Sequence, residues 1–560
     1  MKKFLSKNLY LILIIVLWSL FHIAFFWVNE ILKNADCFAY LQMSYYFKNL
    51  SLSWFWTWWF WFLYSFFIAL FDVITFSLNG YISALFLNII LFWTSAYLLY
   101  RISINYLSKK YSLIVIGLFY LSSILLNFNI TILSENIYIP VFLGFFLYLI
   151  IFFQKQNIKI KDLFFIALFI ALLYFTRAEA FIYLWSIFLI FVFKFFKKKF
   201  TLNYVGRVLK NFLLVLAFFF LIVSPYLVYL HSVTWDWWLT NKWSSNLRQA
   251  ELRWSDKMDD EWFEQAVWEL TSDNHHLKSG FVWGLMYDKW DKSKWLKTYL
   301  LESPFETIWR VLNNQFKLYT KNLPEIVSWD SIDLFYSKDS FFSSNYLFYL
   351  IELIPVFLLL FWIYKMIVLK RYDFLILFFS FYLVASLFFT LFFVLNRYFL
   401  IFLPLFFVFI LFFVSSLKTK FKDLFLIVFV LIYILSCYTY YNSIKNADNT
   451  YLVKKVAWEW LKNQQSQENN LKILERFPVV TYYSWTKERW ITPFTDNLDY
   501  LIEYAEFNKI DYLVVDTLDF KTYRPKLAFL LQDDFQNKSL NKIKVFQVNS
   551  QKVILFKFNY

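Results

Sequence analysis

The chain has 560 residues, 60% of them hydrophobic and 25% aromatic, with a charged share of only 17%. That balance excludes an ordinary soluble protein, because so much apolar surface needs lipid or a very large core. The formal net charge of +15 would suit nucleic acid only as a basic face on a soluble domain. Lys and Arg instead gather in short connectors between apolar stretches, which excludes nucleic acid as a partner and points to a membrane.

Met1-Lys2-Lys3 precedes an apolar run from Leu9 to Val28. The run is too long for a signal-peptide core and no small-residue cleavage motif follows, so it reads as an uncleaved first spanning helix. Apolar stretches near the length that crosses about 30 Å of hydrocarbon predict spans near 8–28, 80–100, 112–128, 136–153, 162–176, 180–196, 211–230, 344–364, 374–394, 399–416 and 423–440. The stretch 53–77, opening Ser53-Trp54-Phe55-Trp56-Thr57-Trp58-Trp59, reads as a helix lying at the interface, where indole rings are favoured.

Charge sets the topology. The connectors Arg101 to Lys110, Lys155 to Lys161, Lys194 to Lys210, Lys365 to Arg371 and Lys418 to Lys422 are basic and alternate with acidic or mixed ones. A span at 53–77 would invert every later connector. The expectation is therefore a polytopic α-helical membrane protein of eleven spans in a plasma or inner membrane, N-terminus inside and C-terminus outside.

Two outer segments are large. The first, 231–343, carries Trp235-Asp236-Trp237-Trp238 and a predicted helix from Pro304 to Tyr319. The second, 441–560, reads as a small α/β domain: helices at Val453–Leu461 and Leu498–Phe507, strands at Tyr512–Val515 and Val553–Phe556. Residues 1–440, with outer loops 29–79 and 231–343, form the transmembrane part.

Cys37 and Cys437 fall in an outer loop and a late helix, so pairing is not expected, and neither has metal-ligand spacing. His22 reads as a core polar residue, and His231, His275 and His276 lack ligand spacing. One Asp and one Glu could share a divalent ion, but no ligand cluster calls for one. No metal and no cofactor are assigned.

Four polar groups fall at span ends on one face. Asp36 follows span 1, Ser134-Glu135-Asn136 leads into span 4, Thr176-Arg177-Ala178-Glu179 forms the short turn between spans 5 and 6, and Asn396-Arg397-Tyr398 opens span 10. Each has an ordinary reading: a loop Asp, a Glu favoured by a helix dipole, an Arg–Glu pair across a turn, an Arg reaching to headgroups. Together they place carboxylates and arginines where spans meet water, and ionisable groups held against a bilayer are costly and often functional.

The ordered set resembles the C-type (GT-C fold) glycosyltransferases, in particular bacterial relatives of the family 39 protein mannosyltransferases and the lipid A aminoarabinose transferases. The matching pieces are Asp36-Cys37-Phe38-Ala39-Tyr40, Leu133-Ser134-Glu135-Asn136, Phe175-Thr176-Arg177-Ala178-Glu179, and Arg397-Tyr398-Phe399-Leu400 with Pro404. In the tail, Glu475-Arg476-Phe477-Pro478 with Tyr482-Tyr483-Ser484, and Asp511-Tyr512-Leu513-Val514-Val515-Asp516, also match. Many relatives carry two adjacent acidic residues in the first outer loop, whereas Asp36 stands between Ala35 and Cys37.

The resemblance implies a GT-C-like fold and an inverting transfer of a sugar from a polyprenyl-phosphate-linked donor to a lipid, glycan or protein acceptor on the outer face. It implies Asp36 as general base with Glu135 orienting it or the acceptor, Arg397 and then Arg177 on the donor phosphate, and Tyr40 and Glu179 at the substrate. The alternatives are a polyprenyl-linked glycan polymerase or ligase, and a lipid or solute transporter or flippase. A transporter needs ionisable groups along a path through the membrane, whereas here they concentrate on one face.

Overall fold

The computed structural model describes residues 16, 20, 35–49, 62–75, 80–195, 202–234, 239, 304–318, 372–391, 396–416, 421–446, 450–464, 471–475, 492, 497–517, 520–521, 525–548 and 551–560. The spans predicted near 8–28 and 344–364 lie outside these residues, apart from two isolated positions in the first. So do the Trp-rich run 54–61 and Trp235-Asp236-Trp237-Trp238.

From residue 35 on, the described residues begin with two short helices, α1 (Ala35–Lys48) and α2 (Phe62–Ile74). The sequence reads 53–77 as interfacial, and the 13-residue α2 extends only about 20 Å, short of a bilayer core. The loop expected around Asp36 is instead helical from Ala35 onward. The two helices run side by side in the same direction: Tyr40 packs edge-on against Tyr64 with ring centroids 5.3 Å apart. Lys48, further along, pairs with Asp72 at 2.7 Å.

The bundle proper contains α3 (Gly80–Ser103), α4 (Lys109–Leu121), α5 (Ser123–Ile130), α6 (Glu135–Gln154), α7 (Ile160–Thr176), α8 (Tyr183–Phe195, entered through a 3-10 turn at Ala178–Ile182) and α9 (Leu202–Thr234). Helix α10 (Pro304–Lys317) follows, then α11 (Tyr372–Thr390), the short α12 (Asn396–Phe399), α13 (Leu403–Ser416) and α14 (Phe421–Asn446). Among the described residues seven helices are long and apolar enough to cross a membrane. The span predicted at 112–128 is a bent pair, α4 and α5, meeting at 58°. Ser122, in extended conformation, breaks the helix there and its hydroxyl caps the backbone NH of Leu125. The chain is a multi-pass membrane protein.

Burial separates axis from rim. Nearly every residue of Arg397–Ser415 is buried, whereas most of Asn203–Ser232 is not, and it turns side chains such as Leu213 and Leu221 outward. Outside water, such a helix satisfies its backbone internally and faces lipid. The aromatic excess fills the axis: Phe378, Phe381 and Tyr382 of α11 meet Phe142, Phe402, Phe406 and Phe409 at centroid distances of 4.4–6.1 Å, mostly edge-on.

Polar groups collect in two layers at opposite ends. At one end Lys155 pairs with Asp162 at 2.5 Å, and Lys194 donates to the carbonyls of Phe152, Phe153 and Lys155. Nearby connectors bring Tyr106 to Asp373 and Lys422 over the ring of Tyr111. Glu135 begins the same helix that ends beside Lys155. Its 20 residues separate the layers by about 30 Å, the thickness of the hydrocarbon core.

After α14 come α15 (Thr450–Gln464), β1 (Ile473–Leu474), α16 (Leu498–Asn508), β2 (Tyr512–Asp516), β3 (Leu540–Val548) and β4 (Gln551–Phe558). The sheet order is β1-β2-β4-β3, with β1 parallel to β2 and the other pairs antiparallel. Strand alternation sends Leu513, Val515, Ile554 and Phe556 to one face, against Leu501 and Tyr504 of α16. Val514, Val553 and Leu555 go to the other, against Val453, Ala457 and Leu461 of α15. A buried ion pair, Lys454 to Asp516 at 2.8 Å, ties α15 to the end of β2.

Candidate functional site

Four of the residues singled out in the sequence meet at the end of the bundle opposite Lys155. Glu135 opens α6, and Arg177 follows α7, which runs back alongside it. The antiparallel pair therefore returns Arg177 to the level of Glu135. Arg177 donates from one terminal nitrogen to Glu135 Oε1 at 2.5 Å, and its other terminal nitrogen lies 3.5 Å from Glu179 Oε1. All three side chains are buried.

The turn after Thr176 explains why both carboxylates can reach one guanidinium. Arg177 is extended (φ −153°, ψ 124°) and ends α7, and the following 3-10 turn brings Glu179 back to its own side. Two rings flank the guanidinium, Tyr138 at 5.9 Å and Tyr398 at 5.2 Å from its central carbon, an arrangement that favours a desolvated cation. Tyr138 lies one helical turn beyond Glu135, so it shares that face of α6.

Arg397, half-buried in the short α12, also lies over the Tyr398 ring, at 5.8 Å, near enough to Glu135 for its charge to act there. Tyr398 itself stacks on Phe389 of α11, centroids 4.4 Å apart and planes 3° from parallel. The cluster thus holds two carboxylates and two guanidinium groups, formally neutral, joined by aromatic walls.

A second, neutral network lies beside it. Asn88 of α3 donates to the carbonyls of Asn129 and Thr131 at 2.9 and 3.0 Å and accepts from the Tyr64 hydroxyl at 2.6 Å. Asn136, adjacent to Glu135, donates to the carbonyls of Phe128, Thr131 and Leu133. These amides take up carbonyls left open where α5 ends, as buried polar backbone requires. Asn88 lies eight residues into α3, about 12 Å along its axis, so the layer is recessed below the start of that helix.

The network also reaches α1. Tyr64 is in range of Asn136 and lies close to both Cys37 and Tyr40. Asp36 precedes Cys37 in the first turn of α1; its side chain lies outside the described residues. Tyr40 is buried against Tyr64, which makes it part of the wall between α1 and α2. Cys37 and Cys437 are both buried and not joined in a disulfide.

Sequence reading missed Asn88 and Tyr138. Asn88 carried a signal, since it is a single amide inside an otherwise apolar span, where such groups bind across helices. Tyr138 carried only its spacing from Glu135. Among the described residues no three His, Cys, Asp or Glu side chains come together as a metal site.

No family model matches the chain, and no curated protein matches it. Solved structures do. The oligosaccharyltransferase of Archaeoglobus fulgidus in its apo form superposes with a TM-score of 0.52 at 11% identity, covering 92% of this chain and 70% of the archaeal one. ArnT from Cupriavidus metallidurans, bound to undecaprenyl phosphate, gives a TM-score of 0.43 at 7% identity, with 98% of each chain covered. The chain therefore shares the fold of the archaeal oligosaccharyltransferase, the GT-C architecture that its ordered motifs resemble.

Proposed function

We propose that the chain is an integral-membrane glycosyltransferase. It moves a sugar from a polyprenyl-phosphate-linked donor to an acceptor hydroxyl or amine at the outer membrane face. The observation that carries this reading is the meeting of Glu135, Arg177, Glu179 and Arg397 in one recessed layer at a single end of the spans. The archaeal protein of like fold is an oligosaccharyltransferase, which supports the same class of reaction. The basic connectors around Arg101, Lys155 and Lys194 gather at the opposite end, and the positive-inside rule then favours an outward-facing site.

The chemistry follows from these groups. A lipid-linked sugar presents its phosphate at the interface, with its tail among the spans. The acceptor attacks the anomeric carbon while the carbon–oxygen bond to phosphate breaks, and the phosphate leaves with the electron pair. A single displacement inverts that centre. Phosphate needs its growing charge balanced more than it needs a proton, and an Arg presents a planar fork of donors to it. Arg397, half-buried at the same end of the bundle, is the first guanidinium assigned to the donor phosphate, and Arg177 the second. Asp36 takes the acceptor proton, and Glu135 holds Arg177 and the floor of the site. The described charged side chains buried in the bundle lie at its two ends, which favours surface chemistry over a transport path.

Two measurements test the assignment. Purified protein in lipid nanodiscs, given polyprenyl-phosphate sugars, is expected to release polyprenyl phosphate together with a glycosylated acceptor. Mass spectrometry of envelope glycans should show the same product lost with the gene. Donor left intact across a panel of sugars and acceptors would remove the enzyme reading. Arg397→Ala is expected to weaken donor binding by about 10- to 100-fold, the worth of a hydrogen bond to a charged group, with little change in thermal stability. Arg397→Lys should recover part of it, keeping the charge and losing the fork. Equal donor affinity in all three proteins would place the phosphate elsewhere.

A further inference from the structure

Two polar rungs tie α1 and α2 to α3. In the upper rung Asp72 of α2 accepts from the Lys48 ammonium at 2.7 Å on one oxygen and from the Ser83 hydroxyl at 2.8 Å on the other. In the lower rung the Tyr64 ring meets Tyr40 of α1, and the Tyr64 hydroxyl donates to Asn88 Oδ1 of α3 at 2.6 Å. Between the rungs the chain climbs from Tyr40 to Lys48 and from Tyr64 to Asp72, while in α3 it returns from Asn88 to Ser83. Helices α1 and α2 therefore rise together toward the start of α3, antiparallel to it. The first turn of α1, with Asp36 one turn ahead of Tyr40, is the deep end of that helix.

Tyr64 joins this turn to the charged layer. It is buried, lies close to Cys37, the residue after Asp36, and is in range of Asn136, the residue after Glu135. The two amides are themselves fixed, since Asn88 and Asn136 both donate to the carbonyl of Thr131, at 3.0 and 2.8 Å. The phenol thus stands between an anchored polar floor and α1. Its ring supplies packing, which tolerates sliding of one helix along another. Its hydroxyl supplies a contact that holds only at one distance and angle.

From this geometry we infer that Tyr64 is a positioning residue: its bond to Asn88 sets the depth of the first turn of α1, and with it the place of Asp36 relative to Glu135 and Arg177. The inference rests on the proposed transfer reaction with Asp36 as base. Tyr64 does its work through α1 and touches no reacting atom. Depth matters at this turn because a misplacement of about 1 Å at a reacting group can cost about 10²-fold in rate. The upper rung holds the same three helices together at the other end of α1, so it shares the packing role and not the positioning one.

Two substitutions in nanodisc-embedded protein, given a polyprenyl-phosphate sugar, test this. Tyr64→Phe removes the hydroxyl and keeps the ring; Ser83→Ala removes a hydrogen bond of the upper rung and is the structural control. Tyr64→Phe is expected to slow single-turnover transfer by about 10- to 100-fold with an unchanged donor isotherm, while Ser83→Ala, at a similar loss of melting temperature, keeps its rate. In the Asp36→Asn background Tyr64→Phe should add nothing, because it acts through that carboxylate. Near-normal turnover in Tyr64→Phe, an equal slowing in Ser83→Ala, donor binding lost together with turnover, or a full further loss in the Asp36→Asn background would each overturn the inference. Near-normal turnover in Asp36→Asn alone would fail the base reading and leave Tyr64 nothing to position. Amide exchange over residues 39–44 separates the two failures, since it needs no reaction. It is expected to quicken in Tyr64→Phe, and equal exchange in both proteins would overturn the depth-setting bond whatever becomes of the base.

Discussion

Asp36→Asn is expected to lower transfer by about 10²-fold or more, in the range a positioned general base contributes, while membrane insertion and donor binding stay near normal. Asn has the shape of Asp and keeps an acceptor oxygen, but it cannot take a proton from an attacking hydroxyl or amine. The substitution therefore separates chemistry from packing. The neighbouring backbone gives a reason to expect an intact fold: Cys37 and Tyr40 are the buried side chains that fix α1 against Tyr64, and neither is touched. Single-turnover release of polyprenyl phosphate, measured beside a donor-binding isotherm, decides it. Near-normal turnover with Asn would move the base to another residue. A lost isotherm together with lost turnover would show a binding role instead.

The same neighbourhood supports the proposal of Asp36 as base without a second acidic residue beside it. Ala35 and Cys37 flank it, so no acidic residue adjoins it in the first turn of α1. The chain from Cys37 through Tyr64 to Asn136 ends next to Glu135, which places the first turn of α1 at the same end of the bundle as the charged cluster. The two described carboxylates of that cluster, Glu135 and Glu179, lie against Arg177.

Much of the architecture was legible because the bilayer imposes one strong rule on the chain. Spans such as Gly80–Ser103 and Glu135–Gln154 announce themselves by length and hydropathy, and the run of basic connectors orders them. The α/β tail was legible in part. Tyr512–Asp516 and Gln551–Phe558 carry dense β-branched and aromatic residues, whereas Leu540–Val548, with Lys542, Lys544 and Gln547 on an edge strand, hides its alternation behind polar side chains. The break at Ser122 was not legible, since Ser is tolerated inside apolar helices and only the 58° bend reveals it. The grouping of Arg177 with Glu135, 42 residues away, depended on antiparallel packing of α6 and α7. The motif list implied a shared face but could not pair the charges. Sequence alone suggested Glu179 as the partner of Arg177, and Glu135 is the closer one.

Arg177→Ala is expected to be the most damaging single change to folding, because it strips one cation from between two buried carboxylates. Breaking a buried pair by removing one partner costs about 3–5 kcal/mol, a large fraction of the stability of an ordinary domain. Here the loss also leaves the faces of Tyr138 and Tyr398 without the guanidinium they flank. The charge argument makes a second prediction that a purely steric one does not. Glu135→Gln in the Arg177→Ala background removes one stranded charge and should recover part of the lost thermal stability, whereas Glu135→Gln alone should destabilise. Melting temperatures of the two singles and the double in one detergent form the cycle. If the double is simply the sum of the singles, the ion pair does not hold this end of the bundle together, and Arg177 becomes available to bind the donor phosphate beside Arg397.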